Sequence, residues 1–232
     1  MFEYFALVVG LALVAALIMF CCMYFFKTTF FEYGWKSAGK VSESVILNNP
    51  GNIEINTRAV EVSVQVGSEN KIEYTDGFSG IVKGIKHDDG SVEIPNSKID
   101  TTDNNFKTTI NVIEPTKGWY GAGKSKLNVY ISDKFLENNI PTITINSYKG
   151  FSSIDLGEYK CDINFISEDR ANLNVVSGVN RLTANFANGK ITCKNDVATA
   201  NVETKKGTLQ IDGITGSVDI PTGDVTMTAD NG

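Results

Sequence analysis

The sequence predicts an all-β protein, a β-solenoid of stacked short strands, preceded by one N-terminal transmembrane helix. Two observations lead to this prediction. From residue 142 to residue 232, pairs of apolar residues that flank one other residue recur about every nine residues. Near the N-terminus, residues 5–26 carry no charged side chain.

The apolar pairs indicate strands with one buried face, because successive side chains of a strand point to opposite sides. Glycines separate the pairs, and a strand of about five residues followed by a tight turn fills the spacing. A single unit cannot bury its own pair, so the units must stack, and we expect coils of two or three units. The pairs are Ile143/Ile145, Ile154/Leu156, Ile163/Phe165, Leu173/Val175, Leu182/Ala184, Ile191/Cys193, Ala200/Val202, Leu209/Ile211, Val218/Ile220 and Val225/Met227.

An antiparallel sandwich or a meander of hairpins is the alternative, since it also places strands about 8–12 residues apart. Tight hairpins favour Asn-Gly or Asp-Gly turns. Few such dipeptides occur in this region, among them Asn188-Gly189 and Asn231-Gly232. The sequence therefore favours the solenoid and leaves the sandwich open.

The N-terminal stretch Phe5–Phe26 is long enough to span a bilayer, which takes about 20 apolar residues in a helix. The tail before it contains Glu3 and no lysine or arginine, and no small-residue cleavage site follows. We therefore expect a single-pass anchor in the cell membrane and not a cleaved signal peptide. Lys27, Lys36 and Lys40 would keep the following domain in the cytoplasm, yet long domains cross membranes regardless of charge. We expect the β domain outside the cytoplasm and leave the orientation open.

We divide the chain into four parts: a tail with the transmembrane helix (1–33), a linker (34–44), an irregular β region (45–140) and regular solenoid repeats (141–232). One short helical turn is expected at Asp133–Asn138. The strands expected in the third part are Val45–Leu47, Asn52–Asn56, Val60–Val66, Lys71–Tyr74, Ser91–Ile94, Thr108–Ile113 and Lys126–Ile131.

Composition argues against nucleic-acid binding. The net charge is -6, and lysines and arginines are scattered, which argues against a nucleic-acid surface.

Cys21 and Cys22 lie in the membrane segment, whereas Cys161 and Cys193 are in phase with the inward apolar positions. We expect the latter two to be small buried hydrophobic residues and not a disulfide.

One motif points to a nucleotide. Residues Gly118–Ser125 match the P-loop pattern G-x-x-x-x-G-K-[ST], which cradles phosphates where a strand meets the N-terminus of a helix. Here an alternating strand follows Ser125 in place of a helix. We therefore expect Thr116–Lys124 to be a glycine-rich loop between two antiparallel strands, and nucleotide binding is a remote alternative.

The remaining polar groups predict no catalytic, cofactor-binding or metal-binding residue. His87-Asp88-Asp89 is expected to be a polar turn, because the only histidine has no partner in its sequence neighbourhood. Asp100–Asp103 is expected to be a solvated loop without calcium-loop spacing. The outward side chains of the repeats are polar and mixed, which suits solvation or, alternatively, an extended ligand-binding face.

Several stretches together resemble the bacterial "putative adhesin" family. They are Gly51-Asn-Ile-Glu-Ile, Val60–Val66, Leu127-Asn-Val-Tyr-Ile-Ser-Asp-Lys, Thr142-Ile-Thr-Ile-Asn-Ser-Tyr-Lys-Gly and the repeats that follow. The resemblance covers Val45–Gly232 and implies a β-solenoid of unknown biochemical function, often tethered by a transmembrane helix. It brings no catalytic residues. The N-terminal tail departs from the family because it lacks basic residues.

The sequence leads to one preferred function and one main alternative. The preferred function is that of a membrane-anchored, non-catalytic, adhesin-like interaction module with a protein partner and no small-molecule substrate. The alternative is a scaffold that assembles by end-to-end stacking, as bactofilins do. It rests on the repeats running to residue 229, which predicts an open edge that pairs with another chain.

Overall fold

The structure is a computed structural model, and it describes residues 2–25, 29–30, 33–38, 42–89, 91–94, 98–104, 106–113, 117–122, 124–220 and 224–229. Most of the described residues are in strands, and one apolar helix lies at the N-terminus. The all-β prediction is confirmed.

The elements follow one another mostly as strands. The helices are α1 (Phe2–Phe25) and α2 (Asp133–Leu136). The strands are β1 (Thr29–Phe30), β2 (Tyr33–Lys36), β3 (Ser42–Ile46), β4 (Asn52–Thr57), β5 (Glu61–Gly67), β6 (Lys71–Thr75), β7 (Ser79–Lys83), β8 (Ile85–Lys86), β9 (Val92–Glu93), β10 (Lys98–Asp103), β11 (Thr108–Ile113), β12 (Lys117–Ala122), β13 (Lys126–Ser132), β14 (Thr142–Ser147), β15 (Gly150–Asp155), β16 (Lys160–Val175), β17 (Gly178–Asp219) and β18 (Asp224–Ala229). β16 and β17 are continuous through turns and therefore contain several straight segments. The expected helical turn is confirmed as α2, which begins where the Ser132 hydroxyl accepts a hydrogen bond from the Phe135 N–H.

The chain forms two compact units, and neither is one continuous stretch. The first unit comprises Met1–Gly39, Gly77–Ser97 and Glu114–Gly123. The second comprises Lys40–Asp76, Lys98–Ile113 and Lys124–Gly232. The chain thus passes back and forth between the units. The division at residues 34, 45 and 141 stays a prediction.

The first unit contains α1 and an antiparallel sheet with the strand order β1-β2-β7-β12. Trp35 on β2 packs edge-to-face on two rings of α1, at 5.4 Å from the Phe20 centroid and 5.0 Å from the Tyr24 centroid. Such edge-to-face pairs align the positive ring edge with the negative ring face. The end of α1 is therefore fixed against β2.

α1 is long and apolar enough to cross a membrane between Tyr4 and Phe25. Its side chains from Tyr4 to Phe20 are exposed, and apolar residues occupy every side of the helix. An N-terminal signal sequence would meet the same description.

The second unit is built on one large sheet. Its strand order is β10-β11-β4-β14-β16-β15-β5-β13-β6-β3, with β17 paired to β16 and β18 paired to β17. The sheet is nearly closed, like a barrel. The Ile99 N–H on β10 donates a hydrogen bond of 3.2 Å to Glu43 Oε2 on β3, which links the two ends of this strand order.

Parallel pairing runs through the repeats. Ile143 pairs with Ile163, Ile163 with Leu182 and Leu173 with Ile191, which are offsets of 20, 19 and 18 residues. These offsets are about twice the nine-residue spacing, so each repeat of the ladder contains two apolar pairs. The described strands from β14 to β18 pair with one another in parallel, which a meander of hairpins would not do.

The inward positions are those that the sequence predicts. Every apolar pair from Ile143/Ile145 to Leu209/Ile211 is buried, and Val218 and Ile220 are partly buried against the same core. The side chains of Val225 and Met227 lie outside the described residues. Packed rings such as Phe165 and Phe186, whose centroids lie 6.4 Å apart, join neighbouring layers of this core.

Two predictions about loops are wrong. Asp100–Asp103 belongs to strand β10, where Asp103 accepts hydrogen bonds from the Asn48 amide and the Thr108 hydroxyl. The glycine-rich stretch is not a loop either, because Lys117–Ala122 forms strand β12. Glycine at positions 118 and 121 weakens a strand but does not prevent it when a partner strand, here β7, supplies the hydrogen bonds.

Leu173→Asp should destabilise the protein by about 3 kcal/mol or more, because a carboxylate would replace a side chain that is 1% exposed. Asn174→Asp is the matched control, since its half-buried side chain faces outward on the same strand. It should cost about 1 kcal/mol at most. Denaturant unfolding of the full chain in detergent, followed by circular dichroism, measures both. Equal losses would contradict the assignment of inside and outside.

Candidate functional site

The P-loop pattern has no P-loop geometry in the described residues. The strand β13 follows Ser125, as predicted, so no helix offers its N-terminal amides to a phosphate. The Ser125 side chain is buried and its hydroxyl donates to Asp76 Oδ1 at 3.3 Å, while its carbonyl accepts the Glu61 N–H. A magnesium-binding serine would instead have to face the ligand.

The histidine segment is a polar turn, as predicted. Asp88 and Asp89 form the turn between β8 and β9, and Asp89 accepts hydrogen bonds from the Ser91 N–H and hydroxyl. These bonds favour the carboxylate and lower the pKa of Asp89. His87 Nε2 lies 3.2 Å from Glu93 Oε2 on the exposed edge of this hairpin. Among the described residues, no group of three or more His, Cys, Asp and Glu side chains could hold a metal ion.

An extended concave surface of the second unit follows one corner of the stacked strands, where β4 turns into β5 and β14 turns into β15. We call it the corner groove. It is lined by residues 56–58, 146–148, 166–168, 185–187 and 203–205, one short stretch from each of five successive layers. Two cavities of about 530 and 620 Å³ form it and meet at Ile166 and Glu168.

Outward amides form a ladder along one side of this groove. Asn56 and Asn111 pair across strands, with the Asn56 amide donating to Asn111 Oδ1 at 2.9 Å. The Asn146 amide in turn donates to Asn56 Oδ1 at 2.8 Å. Beside the ladder, the Lys107 ammonium lies 2.6 Å from Glu54 Oε2 and holds the pKa of that carboxyl below its usual range. These hydrogen bonds restrict the side-chain rotamers of the three asparagines.

Exposed apolar surface lies on the floor and rim of the groove. Tyr148 is 41% exposed, and the Arg58 guanidinium lies 5.9 Å from its ring centre. Ile166, in the next layer, is 49% exposed although it occupies the same column as Asn56 and Asn146. An aromatic ring and a branched aliphatic side chain therefore interrupt an otherwise polar surface.

Basic side chains concentrate on the same corner. Lys124, Lys149 and Arg170 line a third concave surface of about 550 Å³, together with Asp169 and Asn188. All three cations are exposed, and within the described part of the chain none of them forms an ion pair. We call this surface the basic corner.

The opposite turns of the stack, near α2, contain three carboxylates, those of Asp133, Glu137 and Glu158, beside the two ammonium groups of Lys134 and Lys160. There Tyr159 is packed near α2, and its pKa is raised by partial burial and by the carboxylates of Glu137, Glu158 and Asp133. Charge is thus distributed unevenly in a protein whose net charge is -6. The sequence alone did not predict this distribution, because the basic residues of the corner are far apart in the chain. The signal that could have predicted it is the repeat length: two nine-residue units per layer bring these basic residues to the same corner.

Cys161 and Cys193 are free thiols in the core, as predicted. Burial raises the pKa of both to about 12, because the thiolate would lose its hydration. They contribute to packing and offer no nucleophile at neutral pH.

Comparison with known proteins gives names but no functional assignment. No protein-family model and no curated protein matches the chain. A putative cell adhesion protein from Clostridium sporogenes ATCC 15579 is 10% identical over 82% of this chain and 99% of its own, with a TM-score of 0.31. Putative adhesins from Parabacteroides distasonis ATCC 8503 and Parabacteroides merdae ATCC 43184 are 12% and 13% identical over 82% of this chain, cover 81% and 95% of their own chains, and have TM-scores of 0.33 and 0.23. TM-scores in this range do not assign a function. The descriptions of the three proteins match the "putative adhesin" family that the sequence resembles.

Maleimide should not modify Cys161 or Cys193 in the folded protein at pH 8. With a pKa of about 12, about one thiol in ten thousand is ionised at that pH, and both are enclosed by the core. The measurement is mass spectrometry of a Cys21→Ser/Cys22→Ser variant before and after denaturation. Rapid modification of the native protein would show that the core opens around these residues.

Proposed function

We propose that the second unit is a β-solenoid whose coils each contain two strands joined by two turns. Support comes from the parallel ladder, in which Ile53, Ile143, Ile163 and Leu182 stand in one column. A second column contains Val62, Ser152, Leu173 and Ile191. A chain that returns to the same position every 18–20 residues after two strands winds as a coil.

We further propose that α1 anchors this solenoid in a cell membrane as a single-pass helix. Its exposed apolar side chains would face water in a free protein, at a cost of about 25 cal/mol per Å² of apolar surface. A bilayer removes that cost. The contact of Trp35 with Phe20 and Tyr24 would then hold the sheet of the first unit at the membrane boundary.

The function that this architecture supports best is that of a non-catalytic interaction module on the outer side of the membrane. The corner groove carries this proposal, because it presents the same side of five layers to one extended partner. Solenoids bind partners through such long surfaces. The strand that follows the P-loop pattern, and the buried Ser125, count against nucleotide chemistry.

A scaffold that assembles end to end is the second candidate. The two ends of the stack differ in their strand pairing. At one end, the antiparallel pairs β10–β11 and β3–β6 close the parallel ladder. At the other, β18 pairs with β17 on one side, and no second partner strand occurs among the described residues. An edge of this kind can pair with another chain.

Cysteine labelling in intact cells tests the location. Glu158 lies on an exposed turn of the second unit, so Glu158→Cys in a Cys21→Ser/Cys22→Ser background should react with a membrane-impermeant maleimide. Cys161 and Cys193 remain in this background as buried internal controls. Reaction that requires cell lysis would place the domain in the cytoplasm and refute the surface proposal. Lys134→Cys, on α2, provides an independent second position.

Sedimentation velocity of the full chain in detergent tests the scaffold. If β18 pairs with another chain, association should rise with concentration, and Thr226→Lys should suppress it by placing a charge on the edge strand. Thr192→Lys is the control, since Thr192 pairs with Asn174 and lies within the ladder. A chain that stays monomeric up to hundreds of micromolar would remove the main support for the scaffold.

A further inference from the structure

The basic corner continues as a row along the stack. Arg58, Lys149 and Arg170 stand at the same corner in three successive layers, since Lys149 N–H donates to the Arg58 carbonyl and Asp169 N–H to the Tyr148 carbonyl. Lys190 follows in the next layer, paired in register with Asn172, and Lys205 lies in the layer after that. Because Arg170 itself pairs with Asn188, Lys190 lies on the strand just past the corner, and the other four layers each contribute an exposed basic side chain to the corner.

Such a row is unfavourable without a ligand. Neighbouring strands are about 4.8 Å apart, and like charges on adjacent strands repel one another. The acidic residues at this corner, Glu168, Asp169 and Glu203, are fewer than the basic ones. A protein with net charge -6 thus concentrates positive potential along a line, which attracts anions and steers them to this surface.

We propose that this corner binds a linear anionic glycan, a chain of sugar rings with carboxylate or phosphate groups, lying along the stack axis. This inference rests on the proposed function and names the class of its partner. The five cations are spread along the corner and the strand just past it and do not converge on one point, which suits a polymer and not a single small anion. One strand spacing of about 4.8 Å is close to the length of one sugar ring, so charges on successive sugars would meet successive layers.

The corner groove beside the row supplies what sugar rings need. The exposed ring of Tyr148 can stack on the apolar face of a sugar, and Ile166 extends this apolar surface into the next layer. Asn146 and Asn185 present amide groups along the same groove and can exchange hydrogen bonds with hydroxyl groups. A polypeptide anion would use the cations but would have no need of this combination of ring and amides.

The test measures affinity by isothermal titration calorimetry. The full chain is held in nanodiscs of phosphatidylcholine and titrated with an oligogalacturonate long enough to cover five layers. Lys149→Gln combined with Arg170→Gln should weaken binding by at least about tenfold, because two charge-assisted contacts are lost. Lys134→Gln combined with Lys160→Gln changes the net charge equally on the opposite turns and should change affinity by less than about twofold. Binding by the unsubstituted chain should weaken steeply with salt.

Two further ligands distinguish a glycan from other anions. Tyr148→Ala should weaken oligogalacturonate binding and leave any binding of polyglutamate unchanged. Equal affinity for both ligands, together with no effect of Tyr148→Ala, would overturn the glycan assignment. Flotation with phosphatidylglycerol vesicles tests the membrane instead. Vesicle binding that depends on Lys149 and Arg170, without oligogalacturonate binding, would assign the corner to a lipid surface and overturn the proposal.

Failure here is distinguishable from failure of the proposed function. The titration uses purified protein, so its result is the same whichever side of the membrane carries the domain. The cysteine labelling reports location and is independent of any glycan. Equal losses of affinity in the two double variants would show that net charge alone causes the effect, and they would also overturn the proposal.

Discussion

The in-register parallel pairing of apolar residues is the constraint on which the second unit depends. Each inward residue of one layer stands above its counterpart in the next, as Ile143 stands between Ile53 and Ile163. Burial of one such side chain contributes about 1.5–3 kcal/mol. A slip of one residue would turn a whole strand's apolar residues to solvent, so the register is strongly specified. At the corner, the buried Ser167 hydroxyl donates to the Tyr148 carbonyl and supports the backbone where the ladder bends.

The same register determines the outer surface. Since inward residues align in columns, the residues between them align as well, and chemistry repeated in the sequence becomes a continuous stripe in space. The ladder Asn111–Asn56–Asn146 arises in this way, as does the row of cations at the corner. The arrangement of the corner groove is therefore a consequence of core packing. A substitution that shifts the register would move groove and core together.

Sequence reasoning predicted the inward positions because a period of two is a local property. It could not choose between two and three apolar pairs per repeat of the parallel ladder, since both are multiples of the nine-residue unit. It also could not pair β4 with β14, because 84 residues separate Thr57 from Thr142 and no local pattern reports such a contact. The glycines of Thr116–Lys124 predict a loop, yet Lys117–Ala122 forms a strand because it pairs with β7. The corner groove could not be predicted from the sequence, because its lining residues come together only when the layers pair in register.

The interleaving of the two units limits how the protein can be divided. A fragment that begins at Val45 would lack β2, which lies between β1 and β7 in the sheet of the first unit. It would also remove Trp35, the residue that packs on α1. The helix is thus not attached to the rest by a simple tether, because its sheet contains strands from the middle of the chain as well as from the segment that follows α1. If α1 lies in a membrane, β7 and β12 belong to the unit that contains it, although both strands come from the middle of the chain.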